Sequence, residues 1–224
     1  MKRALIITFI VGLLFLCLGL DAKENSVRFG LKGSMNITRN WDSQGPSNSG
    51  YSIVIENKTT FALGVLASWR LNRRFHLQPE IYYIRKGSRQ SIALDAVPIN
   101  PIKATFNLAY FEIPVLLKGY IKGDQEMLGT HLVAGPYLSF LVSDNYTIKN
   151  VYLGDFEQEI AGLRSTDYGL IFGLGLDVNG LDARFVFGYR FSLGLAKLEL
   201  PTGPGLPVQE TRNQCHMFVL EVIL

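Results

Sequence analysis

Residues 27–37 read Val-Arg-Phe-Gly-Leu-Lys-Gly-Ser-Met-Asn-Ile, VRFGLKGSMNI. Val27, Phe29, Leu31, Gly33, Met35 and Ile37 alternate with Arg28, Gly30, Lys32, Ser34 and Asn36. A period of two is that of a β-strand, whose side chains point to opposite faces in turn. The stretch leaves open whether the apolar face looks into a core or out into lipid. The fold depends on that choice.

The same alternation recurs in eight segments, roughly 26–38, 59–71, 75–87, 105–120, 129–143, 166–178, 181–193 and 213–224. They suit an antiparallel meander. Short connections fall at Asn72-Arg73-Arg74, around Lys122 to Glu126, and at Asn179-Gly180, a pair suited to a two-residue type I′ hairpin. The other connections, 39–58, 88–104, 144–165 and 194–212, are long and rich in Gly, Pro, Ser, Asn and charge. Short and long loops therefore alternate, which gathers each kind at its own end of the sheet, as in barrels with short periplasmic turns and long external loops.

Two segments decide the facing. Phe61, Leu63, Val65, Ala67, Trp69 and Leu71 oppose Ala62, Gly64, Leu66, Ser68 and Arg70; Tyr168, Leu170, Phe172, Leu174, Leu176 and Val178 oppose Asp167, Gly169, Ile171, Gly173, Gly175 and Asp177. A water-facing strand surface favours Thr, Lys, Glu and Gln, whereas glycine weakens a strand and adds no solubility. Inside a closed eight-stranded barrel, small residues must sit beside long ones, because the lumen is just wide enough for side chains to fill it. The bulky apolar face then points outward, where only lipid accepts so continuous a band. The reading is an all-β, eight-stranded antiparallel up-and-down transmembrane β-barrel. Trp69, Phe75, Tyr168 and Phe191 would form its aromatic girdle. A secreted lipocalin-like barrel with an aromatic core is the alternative.

By parity the lumen collects Arg28, Lys32, Arg70, Glu80, Glu112, Lys118, Asp177, Asp182, Arg184, Arg190 and Glu221. Near-equal numbers of bases and acids predict a structural ion-pair network, since an unpaired charge in such a space costs several kcal/mol. Glu80, Glu112 and Glu221 are expected to meet arginines or Lys118. Ionisable groups at membrane depth are also candidates for an ion path.

Lys2 and Arg3 precede an apolar run from Ala4 to Leu20, with the small residues Gly19 and Ala22 suited to cleavage at its end. This is the pattern of a cleaved secretory signal peptide over 1–22, leaving a barrel domain over 23–224. Taking Lys2, Arg3 and Asp21 from 22 basic and 19 acidic side chains leaves 20 and 18. That balance argues against a nucleic-acid partner. Cys215 is then the one cysteine left, which excludes an intramolecular disulfide.

His76, His131 and His216 are scattered, with no Ser and acid evident at one level, so neither a catalytic set nor a metal site is expected. No cofactor motif is found: Gly173 to Gly180 lacks the GxGxxG spacing. A lipid-modifying enzyme remains the catalytic alternative. The expected partners are outer-membrane lipid and an envelope protein held by loops 39–58, 88–104, 144–165 and 194–212, which carry Trp41, Tyr51, Leu195, Leu198 and Leu200.

The strings LQPEIYYIRKG (77–87), YFEIPVLLKGY (110–120) and AGPYLSFLVS (134–143) resemble, in this order, the PorT-like outer-membrane β-barrel family of Bacteroidetes. The resemblance covers most of residues 27–224. It implies structural roles for Pro79, Glu80, Glu112, Pro114, Lys118, Gly135 and Pro136, no catalytic set, and an envelope role that in one relative concerns secretion. One departure is Leu224, where such barrels usually end in an aromatic residue.

Overall fold

The computed structural model describes residues 27–41, 51–94, 102–122, 127–150, 154–159, 164–180, 182–201 and 208–224. The leader over 1–22 and the centres of the four long loops lie outside the described residues. Eight long strands carry the fold: β1 (Val27–Trp41), β3 (Lys58–Arg70), β4 (Phe75–Lys86), β6 (Ile102–Lys122), β7 (Leu128–Asn150), β9 (Thr166–Asn179), β10 (Arg184–Gly194) and β12 (Val208–Ile223). Each pairs antiparallel with the next, and β12 pairs with β1 over Gly30↔Ile223 to Trp41↔Arg212, so the sheet is a closed ring.

The register fixes the ring's shape. Passing from Ile37 through His216, Phe191, Phe172, Ala134, Leu117, Leu77 and Trp69 returns to β1 at Val27. The stagger is therefore 37 − 27 = 10 residues. Ten residues at about 3.3 Å against eight strand spacings of about 4.8 Å give a tilt near 40°, and about 2.5 Å of axial height per residue. The outward apolar run Val27 to Ile37 thus spans about 25 Å, the height of a barrel's lipid-facing band.

The facing is unambiguous. Leu63 is 72% exposed and Phe187 54%, while Glu112 is fully buried. Phe29, Met35, Phe172, Leu174 and Phe218 share the outward face, which excludes the lipocalin-like alternative. Trp69, Phe75 and Tyr168 are exposed on that face, and Phe191 is half-buried there against His216, ring centroids 5.1 Å apart. Tyr189 lies on the same face and meets the His216 Nδ1 atom through its hydroxyl at 2.7 Å, so these two lipid-side polar groups satisfy one another.

Three local expectations are corrected. Asn179 closes β9 and Gly180 N donates to Ala183 O at 2.8 Å, so the reversal is longer than a two-residue Asn-Gly hairpin. The pairing Asn179↔Arg184 explains the shift: the Asn179 side chain is committed to Arg184 Nε at 2.6 Å. The long connections are not wholly irregular. They contain β2 (Tyr51–Glu56), β5 (Arg89–Leu94), β8 (Gly154–Glu159) and β11 (Leu198–Pro201), and β6 and β7 extend into them, so the sheet continues above the apolar band. Leu198, expected to meet a partner, is instead fully buried.

β4 and β5 follow one register along β6, Lys86↔Leu108 and then Arg89↔Thr105, interrupted at Gly87 and Ser88. Gly87 has φ +125°, and a Cβ there would lie 2.2 Å from Phe106 O, so no other residue fits.

Candidate functional site

Inward positions of all eight barrel strands converge on a filled lumen. Among the described residues, five acids (Glu80, Glu112, Asp167, Asp177, Glu221) and five bases (Lys32, Lys86, Lys118, Arg184, Arg190) are buried there. They form three tiers.

In the middle tier Glu80 takes Lys32 Nζ at 2.7 Å and Arg190 Nη1 at 2.8 and 3.0 Å. The other guanidinium nitrogen, Nη2, holds Glu221, which also takes Lys118 Nζ at 3.1 Å. Gln78 Nε2 donates to both carboxylates, at 2.6 and 3.0 Å. Lys32 Nζ stands 3.7 Å above the Tyr82 ring. Three cations here face two anions.

The upper tier, toward the long loops, reverses that balance. Lys86 Nζ lies 2.5 Å from Glu112 and 3.3 Å from Asp167, and over the Tyr137 ring at 4.5 Å. Tyr82 OH and Ser139 Oγ donate to Glu112 at 2.5 and 2.7 Å. Tyr137 OH and Asn213 Nδ2 donate to Asp167 at 3.2 and 3.0 Å. A single cation neutralises two carboxylates, and neutral donors supply the rest. Room for Tyr82 comes from Gly64, where a Cβ would sit 2.3 Å from the Tyr82 Cβ and 2.2 Å from Ile81 O.

At the short-turn mouth, His131 Nδ1 lies 2.5 Å from Asp177, Arg184 donates to Tyr120 OH at 2.8 Å, and the Tyr120 ring stands between His76 (4.9 Å) and His131 (5.5 Å). Ser68 Oγ meets His76 Nδ1 at 3.3 Å. Serine, histidines and an acid thus share one level, contrary to the expectation of scatter. The reason is that His76 on β4 and His131 on β7 both point inward on the two strands that flank β6, whose Tyr120 stands between them. The serine contact falls on His76 and the acid contact on His131, so these described contacts do not join into one nucleophile–base–acid relay.

The sequence-predicted lumen residues Lys32, Glu80, Glu112, Lys118, Asp177, Arg184, Arg190 and Glu221 come together here. Two do not: Arg28 and Asp182 are exposed, at the start of β1 and in the 180–183 turn. Strand parity gives the side of a residue and not its depth, and at the mouths a charge stays in water. Arg70 is half-buried at the same rim. Lys86 and Asp167 are the lumen charges that the reading missed, so Glu112 meets Lys86 and not an arginine or Lys118. Both share the inward parity of their strands, which was the available signal. Among the described residues no group of three His, Cys, Asp or Glu side chains is placed to hold a metal ion. Cys215 is buried and free.

Burying so many charges is stabilising only where each is met by a partner and further hydrogen bonds. In the tiers every charged side chain has at least one hydrogen-bond or ion-pair partner, while the buried Asp167 Oδ1 and Gln78 Oε1 accept no hydrogen bond among the described residues. A closed ring, an apolar belt about 25 Å tall and a polar filled interior define an integral barrel protein of the bacterial outer membrane. The chain belongs to the family described as outer membrane protein beta-barrel domain, whose model matches residues 21–199. Similar solved structures include OprG from Pseudomonas aeruginosa (12% identity, TM-score 0.48, covering 89% of this chain and 96% of that one). They also include the attachment invasion locus protein Ail of Yersinia pestis (11%, 0.41, 89% and 99%) and Neisserial surface protein A (14%, 0.43, 88% and 96%). Comparison with the curated proteins found no match.

Proposed function

We propose that this barrel is a non-conducting, non-enzymatic envelope component of the PorT-like type, exported by a leader cleaved after residue 22, whose external strands and loops hold an envelope protein partner. The observation that carries the reading is the lumen of five acids and five bases, buried and held by one another and by neutral donors among the described residues. The sheet extending above the lipid band through β2, β5, β8 and β11 supports a binding role for that end, because a site on strands is held more rigidly than one on loops.

Reconstitution in planar bilayers tests the closed lumen: no conductance steps are expected, and stable ohmic steps from the folded barrel would refute it. For the partner, photo-crosslinkers at the exposed Val54 and Glu199 in native envelopes should trap a discrete adduct. Absence of an adduct at both positions, with the barrel folded, counts against external docking. N-terminal sequencing of the mature protein should begin near residue 23, and unchanged lipid A and phospholipid profiles on deletion are expected of a protein without lipid-modifying activity.

A further inference from the structure

At the outer boundary of the apolar band the β3–β4 ladder opens. Its register ends at Ala62↔Ile84 and resumes, between β2 and β5, at Glu56↔Arg89. Residues 57–61 therefore face 85–88 across a gap spanned by hydroxyls: Thr60 Oγ1 donates to Arg85 O at 2.7 Å, and Thr38 Oγ1 lies 3.2 Å from Lys58 O and 2.7 Å from Gly87 O. Through it Lys58 reaches across to β6, its Nζ donating to Phe106 O at 3.1 Å and to Asn107 Oδ1. The result is a cleft of about 350 Å³.

The walls of the cleft are of two kinds. Phe61, Leu63 and Tyr83 belong to the lipid-facing band and form its lower part. Arg85, one step further out on the same face of β4, forms the upper part with Lys58 and Asn107. Arg85 Nε lies 3.4 Å from Tyr83 OH, poised at the boundary. No carboxylate lines the cleft; Glu56, opposite Arg89 in the register, accepts from Ser91 Oγ at 3.2 Å. Lys58, which stands above the band, is lowered to about 8, by burial first and then by the Arg89 and Arg85 guanidinium groups. Among the described residues the cleft lining carries Lys58 and Arg85 with neutral groups, an arrangement that an anion relieves.

We propose that the cleft binds a phosphate-bearing lipid of the outer leaflet, with its phosphate between Lys58 and Arg85 and an acyl chain along Phe61, Leu63 and Tyr83. Basic pockets at a membrane surface select phosphorylated headgroups, and the apolar floor distinguishes a lipid from a free phosphate. The inference stands whether or not the loops hold a protein partner.

The test uses the full barrel folded into neutral phosphatidylcholine nanodiscs and read by native mass spectrometry. Bisphosphorylated lipid A, dephosphorylated lipid A and inorganic phosphate are titrated in turn. One lipid A per barrel is expected, with affinity falling about fivefold for each cation removed in Lys58→Met and Arg85→Gln. Dephosphorylated lipid A should bind as weakly as the double variant, and inorganic phosphate should not compete. Lys197→Met, whose lysine pairs with Glu210 on an exposed surface, is the control and should bind normally. Arg85 is exposed, so Arg85→Gln leaves the fold intact, which heat-modifiable gel migration verifies. Equal binding of the dephosphorylated lipid, unchanged binding by the folded Arg85→Gln variant, or full competition by inorganic phosphate each overturns the proposal.

Discussion

Lys86→Met should destabilise the barrel more than Arg190→Met, although arginine makes more contacts. Removing Arg190 leaves Glu80 with Lys32 at 2.7 Å and Glu221 with Lys118 at 3.1 Å, so every carboxylate keeps a cation. Removing Lys86 leaves Glu112 and Asp167 with neutral donors alone. Breaking a buried pair costs about 3–5 kcal/mol when a charge is left uncompensated. The lysine variant belongs in that range, and the arginine variant, which leaves no carboxylate without a cation, falls below about 3 kcal/mol. Urea unfolding in phosphatidylcholine vesicles, followed by tryptophan fluorescence, measures both. Lys86→Met should also recover when Glu112→Gln is added, because one of the two carboxylates left without a cation is then neutral. Arg190→Met losing as much as Lys86→Met, or both losing under about 1 kcal/mol, would show that water screens the lumen and would refute the tier argument.

On the outer face, Leu63→Arg should cost about 2–4 kcal/mol in the same vesicle assay, since a cation near the bilayer midplane loses its hydration; a neutral effect would deny that this face meets lipid. Gly64→Ala should lose roughly 1–3 kcal/mol, because backbone and the Tyr82 Cβ occupy the space, whereas Gly33→Ala, with nothing within 4 Å, should be tolerated. Equal behaviour of the two would contradict the packing described. Lipid A affinity should fall as pH rises beyond about 8, because neutral Lys58 attracts no phosphate while Arg85 and Arg89 stay charged. A bound phosphate shifts the loss upward, so it is read between about pH 8 and 10, and Lys58→Met should flatten the profile.

The barrel strands were legible because a period of two survives wherever one face meets lipid and the other a crowded interior. The alternation of short and long loops was equally legible, and it fixed the topology. Depth was not: Arg28 has the parity of Lys32, yet it lies at the barrel mouth, and only the register shows this. The outer strands β2, β5, β8 and β11 escaped notice because above the membrane neither face meets lipid, so polar residues, Gly and Pro intrude without cost and the alternation fades. The lipid cleft depends on a ladder interruption between two strands, a relation between segments that no single stretch encodes. Lys86 was the avoidable omission, since the same alternation that placed Glu80 inward placed it too.

The seam between β1 and β12 joins residues such as Trp41 and Arg212, at opposite ends of the described chain. Until that last edge zips up, the interior stays open to water and its ten ionised groups keep their hydration shells. Sealing the cylinder and drying its contents are consequently coupled, which favours cooperative assembly: a barrel short of its final staves gains little from the rest.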